Sequence, residues 1–110
     1  MISYDGSTVT VDGQTYQLDY RVADAIEYAD RVVVLFDPDA YTAKFGQFAN
    51  LVALSREGKK LWTAELPTTT SGDRYYRLVH RGTLQASSVY SFVCDIDPRS
   101  GRILRKEFVK

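Results

Sequence analysis

Along the chain, apolar positions come in short runs and alternations. The longest run is residues 32–36 (Val32, Val33, Val34, Leu35, Phe36), preceded by Arg31 and closed by Asp37 and Pro38. Five apolar side chains with no polar one between them predict a strand covered on both faces; the run is too short for an ordinary helix. A hairpin follows at residues 50–66. Its turn is built from Arg56, Glu57, Gly58 and Lys59, with Gly58 free to take the positive φ such a turn demands. In its second arm Trp62, Ala64 and Leu66 share one face and Leu61, Thr63 and Glu65 the other. Burying the single Trp would remove roughly 200 Å² from water, so Trp62 is the predicted anchor of the core.

The same reading extends outward. Residues 8–20 form a hairpin about Asp12 and Gly13, with Val9 and Val11 on one face and Tyr16, Leu18 and Tyr20 sharing one as well. Residues 22–29 fit helical spacing through Val22, Ala25, Ile26 and Ala29, but Ile26 and Tyr28 fit strand spacing. The neighbouring strands favour a short strand near 25–28. In the irregular stretch 37–49, Tyr41, Phe45 and Phe48 recur at the spacing of one helical face, and Asp39 is a suitable cap, so at most one short helix is predicted, near 40–48. After a polar loop at 67–73, strands follow at 75–80, 83–87, 92–96 and 102–109. Alternation puts Tyr75, Arg77 and Val79 on one face, and Phe92, Cys94 and Ile96 on another.

Two segments align: 52–61 about Gly58 and 94–104 about Gly101. Cys94 lies 42 positions after Val52, and Gly101 lies 43 after Gly58. Such periods, with four strands per unit, suit propeller blades. The turn ending in Gly, then a basic residue, an aliphatic residue and Trp62, resembles the last hairpin of blades in quinoprotein-type (PQQ-like) propellers. The likeness covers about half the chain and two units, and Arg105 stands where the second copy would repeat Trp62. It implies local blade geometry, without a closed ring or a bound quinone.

The predicted fold class is therefore all-β: two twisted antiparallel sheets of blade-like hairpins in one domain, 1–110. The blade-like units lie at about 25–66 and 75–109, beside the N-terminal hairpin 8–20. Hydrophobic residues are 45% of 110, enough for a core without staples. Basic and acidic residues number 14 each, which argues against a general nucleic-acid surface or a polybasic membrane patch. One Cys rules out an intrachain disulfide or a Cys-based zinc cluster. No signal peptide or bilayer-spanning run is seen, so cytoplasmic residence is the default expectation.

Catalytic signals are weak. His80 is the only His, with no nucleophile motif around it. Cys94 alternates with apolar neighbours and reads as a buried residue. The Asp37/Asp39 and Asp95/Asp97 pairs lack the ligand count of a calcium loop and suit turns instead. The seven Gly sit singly, so no phosphate loop is present. No cofactor, metal or catalytic residue is expected. The expectation is a non-enzymatic protein-interaction module, an oligomer or an immunity- or inhibitor-type binder, pairing with a protein partner or a second copy through open sheet edges. Its candidate contacts are Tyr41, Phe45, Phe48, Tyr75, Tyr90, Arg102 and Arg105. The alternative is a ligand-binding or enzymatic domain with a pocket between the sheets, using Tyr side chains, Arg77 and His80.

Overall fold

In the computed structural model, which describes residues 1–40 and 46–109, the chain is all-β, with eleven strands among those residues. They are β1 Ile2–Asp5, β2 Thr8–Val11, β3 Gln14–Gln17, β4 Val22–Tyr28, β5 Arg31–Phe36, β6 Leu51–Leu54, β7 Lys60–Thr63, β8 Tyr75–His80, β9 Leu84–Ser88, β10 Phe92–Ile96 and β11 Ile103–Phe108. Three separate antiparallel sheets result, with orders β1-β2-β3, β4-β5-β6-β7 and β11-β10-β9-β8. Each is an up-and-down meander. The sequence predicts two sheets with a hairpin beside them. The hairpin instead gains β1, which pairs Ile2 with Val11 and Asp5 with Thr8, and becomes a sheet of its own.

The β4–β7 sheet is the middle layer, and the alternation of its strands divides its apolar residues between two cores. Val32, Val34, Phe36, Val52 and Leu54 pack with Val9, Val11 and Tyr16 of the first sheet. Val33, Leu35, Leu51, Ala53, Trp62 and Ala64 pack with Tyr75, Leu78, Leu84, Ala86, Cys94 and Ile96 of the third. The run 32–36 is therefore covered on both faces, as its composition requires. Residues 22–28 are a strand, β4, paired along most of β5. No helix occurs among the described residues. Tyr41 and Phe45, two of the three aromatics behind the predicted helix, lie outside them; Phe48 is buried on the central sheet.

One step joins each sheet to the next. Gly58, in the β6–β7 turn at φ 83°, lies under the ring of Tyr16 from β3, and Gly101, in the β10–β11 turn at φ 76°, lies under the indole of Trp62 from β7. A Cβ on Gly58 would sit 2.4 Å from Tyr16, and one on Gly101 2.5 Å from Trp62. Glycine is needed at both places for conformation and for room. The Trp62 indole Nε1 donates to the Pro98 carbonyl at 2.9 Å, so its polar end is satisfied inside the layer.

Polar side chains complete the joints. Asn50, fully buried, donates to the Phe36 and Tyr75 carbonyls at 2.9 and 2.7 Å, and its own carbonyl accepts the Tyr75 N–H at 2.9 Å. It thus supplies the start of β8 with a partner in place of a neighbouring strand. Asp73, also fully buried, accepts from Ser88 and Thr68 at 2.7 Å each and from the Arg74 N–H at 2.9 Å. At the far side, Arg56 joins the β6–β7 turn to Asp12 of the first sheet at 2.8 Å and to Glu27 of β4 at 3.1 Å.

Candidate interaction surface

The two outer faces of the stack are polar. On the first sheet, alternation opposite Val9, Val11 and Tyr16 turns Thr8, Thr10, Thr15 and Gln17 outward, and Thr10 and Thr15 bond to each other at 2.9 Å. On the third, Gln85, Asp95, Arg105 and Glu107 are outward, with Gln85 donating to Asp95 at 2.8 Å. In stacked repeats a polar outer face is what ends the series. Arg105 occupies the place in β11 that Trp62 holds in β7, four residues after the turn glycine and directed away from the core. Faces of this kind offer a partner little to bury; the sheet edges offer more.

Several edges are blunted. The Val22 N–H of β4 donates to the Gly6 carbonyl at 2.8 Å, and the Tyr4 hydroxyl to the Ala23 carbonyl at 3.1 Å. β7 is short, bulged and carries Lys60. β11 differs. It is six residues long and lies at the end of its sheet, with Leu104 at 66%, Phe108 at 58% and the following Val109 at 48% exposure. The Val109 N–H donates to the Ser91 carbonyl at 2.7 Å. By alternation, the backbone groups of Arg105 and Glu107 then face β10, and those of Lys106 and Phe108 face the open side. Near its start the edge is closed, because the Glu65 carboxylate accepts the Ile103 N–H at 2.9 Å.

Beside β11 runs a groove of about 760 Å³ between that strand and residues 65–70. Its apolar lining is Leu66, Pro67, Phe92, Ile103 and Leu104, and its cations are Arg105 and Lys106. Side-chain contacts tie its two walls together: Lys106 Nζ donates to the Pro67 carbonyl at 2.8 Å and lies 5.3 Å from the Phe92 ring centre. Phe92 meets Phe108 edge to face at 5.5 Å. A smaller groove of about 480 Å³ occurs at the equivalent step between the first and central sheets, lined by Leu18, Tyr20, Phe48 and Lys60 among others.

The sequence-predicted contact residues divide. Arg102 and Arg105 are exposed at β11, and Tyr90 is exposed in the β9–β10 turn, its hydroxyl donating to the Ser71 carbonyl at 3.0 Å. Tyr75 and Phe48 are interior, at 0% and 7% exposure, and offer no contact surface. The Tyr75 hydroxyl donates to the Glu65 carbonyl at 2.5 Å, and burial pushes its pKa up. Strict alternation along β8 fails because the pairing shifts between Tyr75 and Arg77, which leaves Tyr75 and Leu78 on the core side together. Tyr41 and Phe45 are outside the described residues. Leu104, Phe108 and Val109 were the residues sequence reasoning passed over. Their signal was apolar positions on both parities of one strand, more than a one-sided edge strand needs.

The residues with chemical promise have structural duties. Cys94 is fully buried and its thiol pKa is pushed up by that burial. Asp37 accepts the Asp39 N–H at 2.8 Å and Asp97 the Arg99 N–H at 2.9 Å, the bonds of two Asp-initiated turns. His80 is exposed at the end of β8, away from the filled space between the central and third sheets. Among the described residues, no group of three or more His, Cys, Asp or Glu side chains could hold a metal ion, and no helix is long and apolar enough to cross a membrane.

No curated protein and no solved structure matches the chain. A family model does match, over residues 1–108, and the chain therefore belongs to the family described as a domain of unknown function, DUF7957.

Proposed function

We propose that the protein is a non-enzymatic interaction module that receives an extended protein segment along the open edge of β11. The observation that carries this reading is the combination at one strand of free backbone groups, three exposed apolar residues and a groove with an apolar floor. Main-chain bonds of an added strand would supply affinity, and alternate side chains entering the groove would supply selectivity. Arg102, Arg105 and Lys106 favour a partner with acidic groups at the rim. An immunity- or inhibitor-type binder and cytoplasmic residence are compatible with this reading. The up-and-down order of each sheet and the aromatic-on-glycine step between sheets support regarding the units as propeller-type blades, stacked three deep without a ring.

Affinity capture from native cell extract tests the reading, with wild-type bait against a Leu104→Lys/Phe108→Lys bait. Both side chains are exposed, so the variant keeps its fold, checked by an unchanged melting curve. Partners retained by the wild type and lost from the variant are the expected result. The same set on both baits would overturn the reading.

A further inference from the structure

We infer that the strand received by β11 is the β11 of a second copy of this chain, in an antiparallel two-fold register centred on Lys106. This rests on the reading of β11 as the binding edge and names its occupant.

Three observations select the copy and the register. A two-fold axis perpendicular to the sheet sets inner-face residues opposite inner-face residues, so the axis must pass through a residue and not between two. Of the central residues of β11, Lys106 has backbone groups pointing to the open side, so two main-chain bonds form at the axis itself. That register alone sets Arg105 opposite the second copy's Glu107, and Glu107 opposite its Arg105. Both are exposed, and they already approach each other at 3.8 Å within one chain. Beyond these pairs it brings Leu104, 66% exposed and displaced by the bulge that ends regular pairing with β10, to the level of Phe108, 58% exposed, on both sides of the axis. Centring on Arg105 or Glu107 would instead put like charges face to face.

The one unfavourable pairing is Lys106 with itself, and the fold weakens it. The Lys106 ammonium is drawn back from the edge, onto the Pro67 carbonyl and the Phe92 ring. The Glu65 carboxylate on the Ile103 N–H closes the edge beyond the pairing region, which fixes where the added strand stops. The product is one continuous eight-stranded sheet, four strands from each copy, with the open edge removed.

Light scattering with size exclusion should give twice the 12.5 kDa chain mass for the wild type. Glu107→Arg, which sets Arg opposite Arg, should weaken the dimer by roughly tenfold or more, and Arg105→Glu/Glu107→Arg should restore it. A second readout does not depend on charge. Lys106→Cys should oxidise to a covalent dimer, because residues paired across the axis lie about 5.5 Å apart at Cα, whereas Glu107→Cys should not. Wild type that stays monomeric at concentrations on the order of several hundred micromolar, or cross-linking at 107 in place of 106, would overturn the inference. In that event the Leu104→Lys/Phe108→Lys capture comparison still decides, separately, whether β11 binds another protein.

Discussion

At the scale of single residues, the joints between sheets depend on a few polar groups. Asn50 satisfies one N–H and two carbonyls in a site with no solvent access. Asn50→Ala would leave the Tyr75 N–H and the Phe36 and Tyr75 carbonyls without that partner, at an expected cost of about 2–3 kcal/mol, measured by urea denaturation. Asp12 gives a pH signature. Its hydrogen bonds with the Arg56 guanidinium hold its pKa down at about 2, against an ordinary value of 3.8. A depressed carboxylate contributes stability that is complete above the ordinary value and is lost as the pH falls through the depressed one. Melting temperature should therefore fall between about pH 4 and pH 2, and Arg56→Met should flatten that part of the profile. The site is exposed, so added salt should shrink the effect.

What the sequence disclosed at this scale followed from side-chain character. Five apolar residues from Val32 to Phe36 could only be a doubly covered strand, and a lone indole in an alternating arm had to go inside. Tyr75 was misjudged because a tyrosine suits a core with one hydroxyl partner as well as it suits a surface. Only the Glu65 carbonyl, ten positions away in the connection after β7, decides between them.

At the scale of elements, the turns do more than reverse the chain. Gly58 and Gly101 are seats for aromatic rings of the preceding sheet, whereas Gly13, at φ 87°, has nothing within 4 Å of where a Cβ would be. Gly58→Ala and Gly101→Ala should each cost about 2–4 kcal/mol, from left-handed strain plus overpacking. Gly13→Ala should cost only the strain, about 1–2 kcal/mol. Equal losses at all three positions, by chemical denaturation, would show that the rings are not held by the glycines. The repeat about Gly58 and Gly101 was legible from spacing; its third member, about Gly13, was not, because that turn lacks the extra bulge residue that lengthens the other two. β1 was missed because Ile2 is the one aliphatic residue of a four-residue strand, too little for an alternation. The shift between Tyr75 and Arg77 could not be read either, since a bulge leaves no mark on composition.

At the scale of the whole molecule, three layers replace the predicted two because periodicity reveals that a strand is covered but not by which other segment. Each sheet packs only on its neighbours, so resistance to local opening should be uneven. Amide hydrogen exchange should be slowest in β5 and β6, whose side chains face both cores, and faster in β1–β3. Uniform protection across all three sheets would argue for a single cooperative unit.

The doubly covered middle layer carries a liability of its own. If the small first sheet peels away, Val32, Val34, Val52 and Leu54 come into water together, as a flat slab of branched aliphatics. That transient form, and not the random chain, is the species that would seed clumping or admit a protease. Shelf life would then follow how often this lid lifts, which the packing of Val9, Val11 and Tyr16 sets first and the exposed clamp from Arg56 to Asp12 only trims.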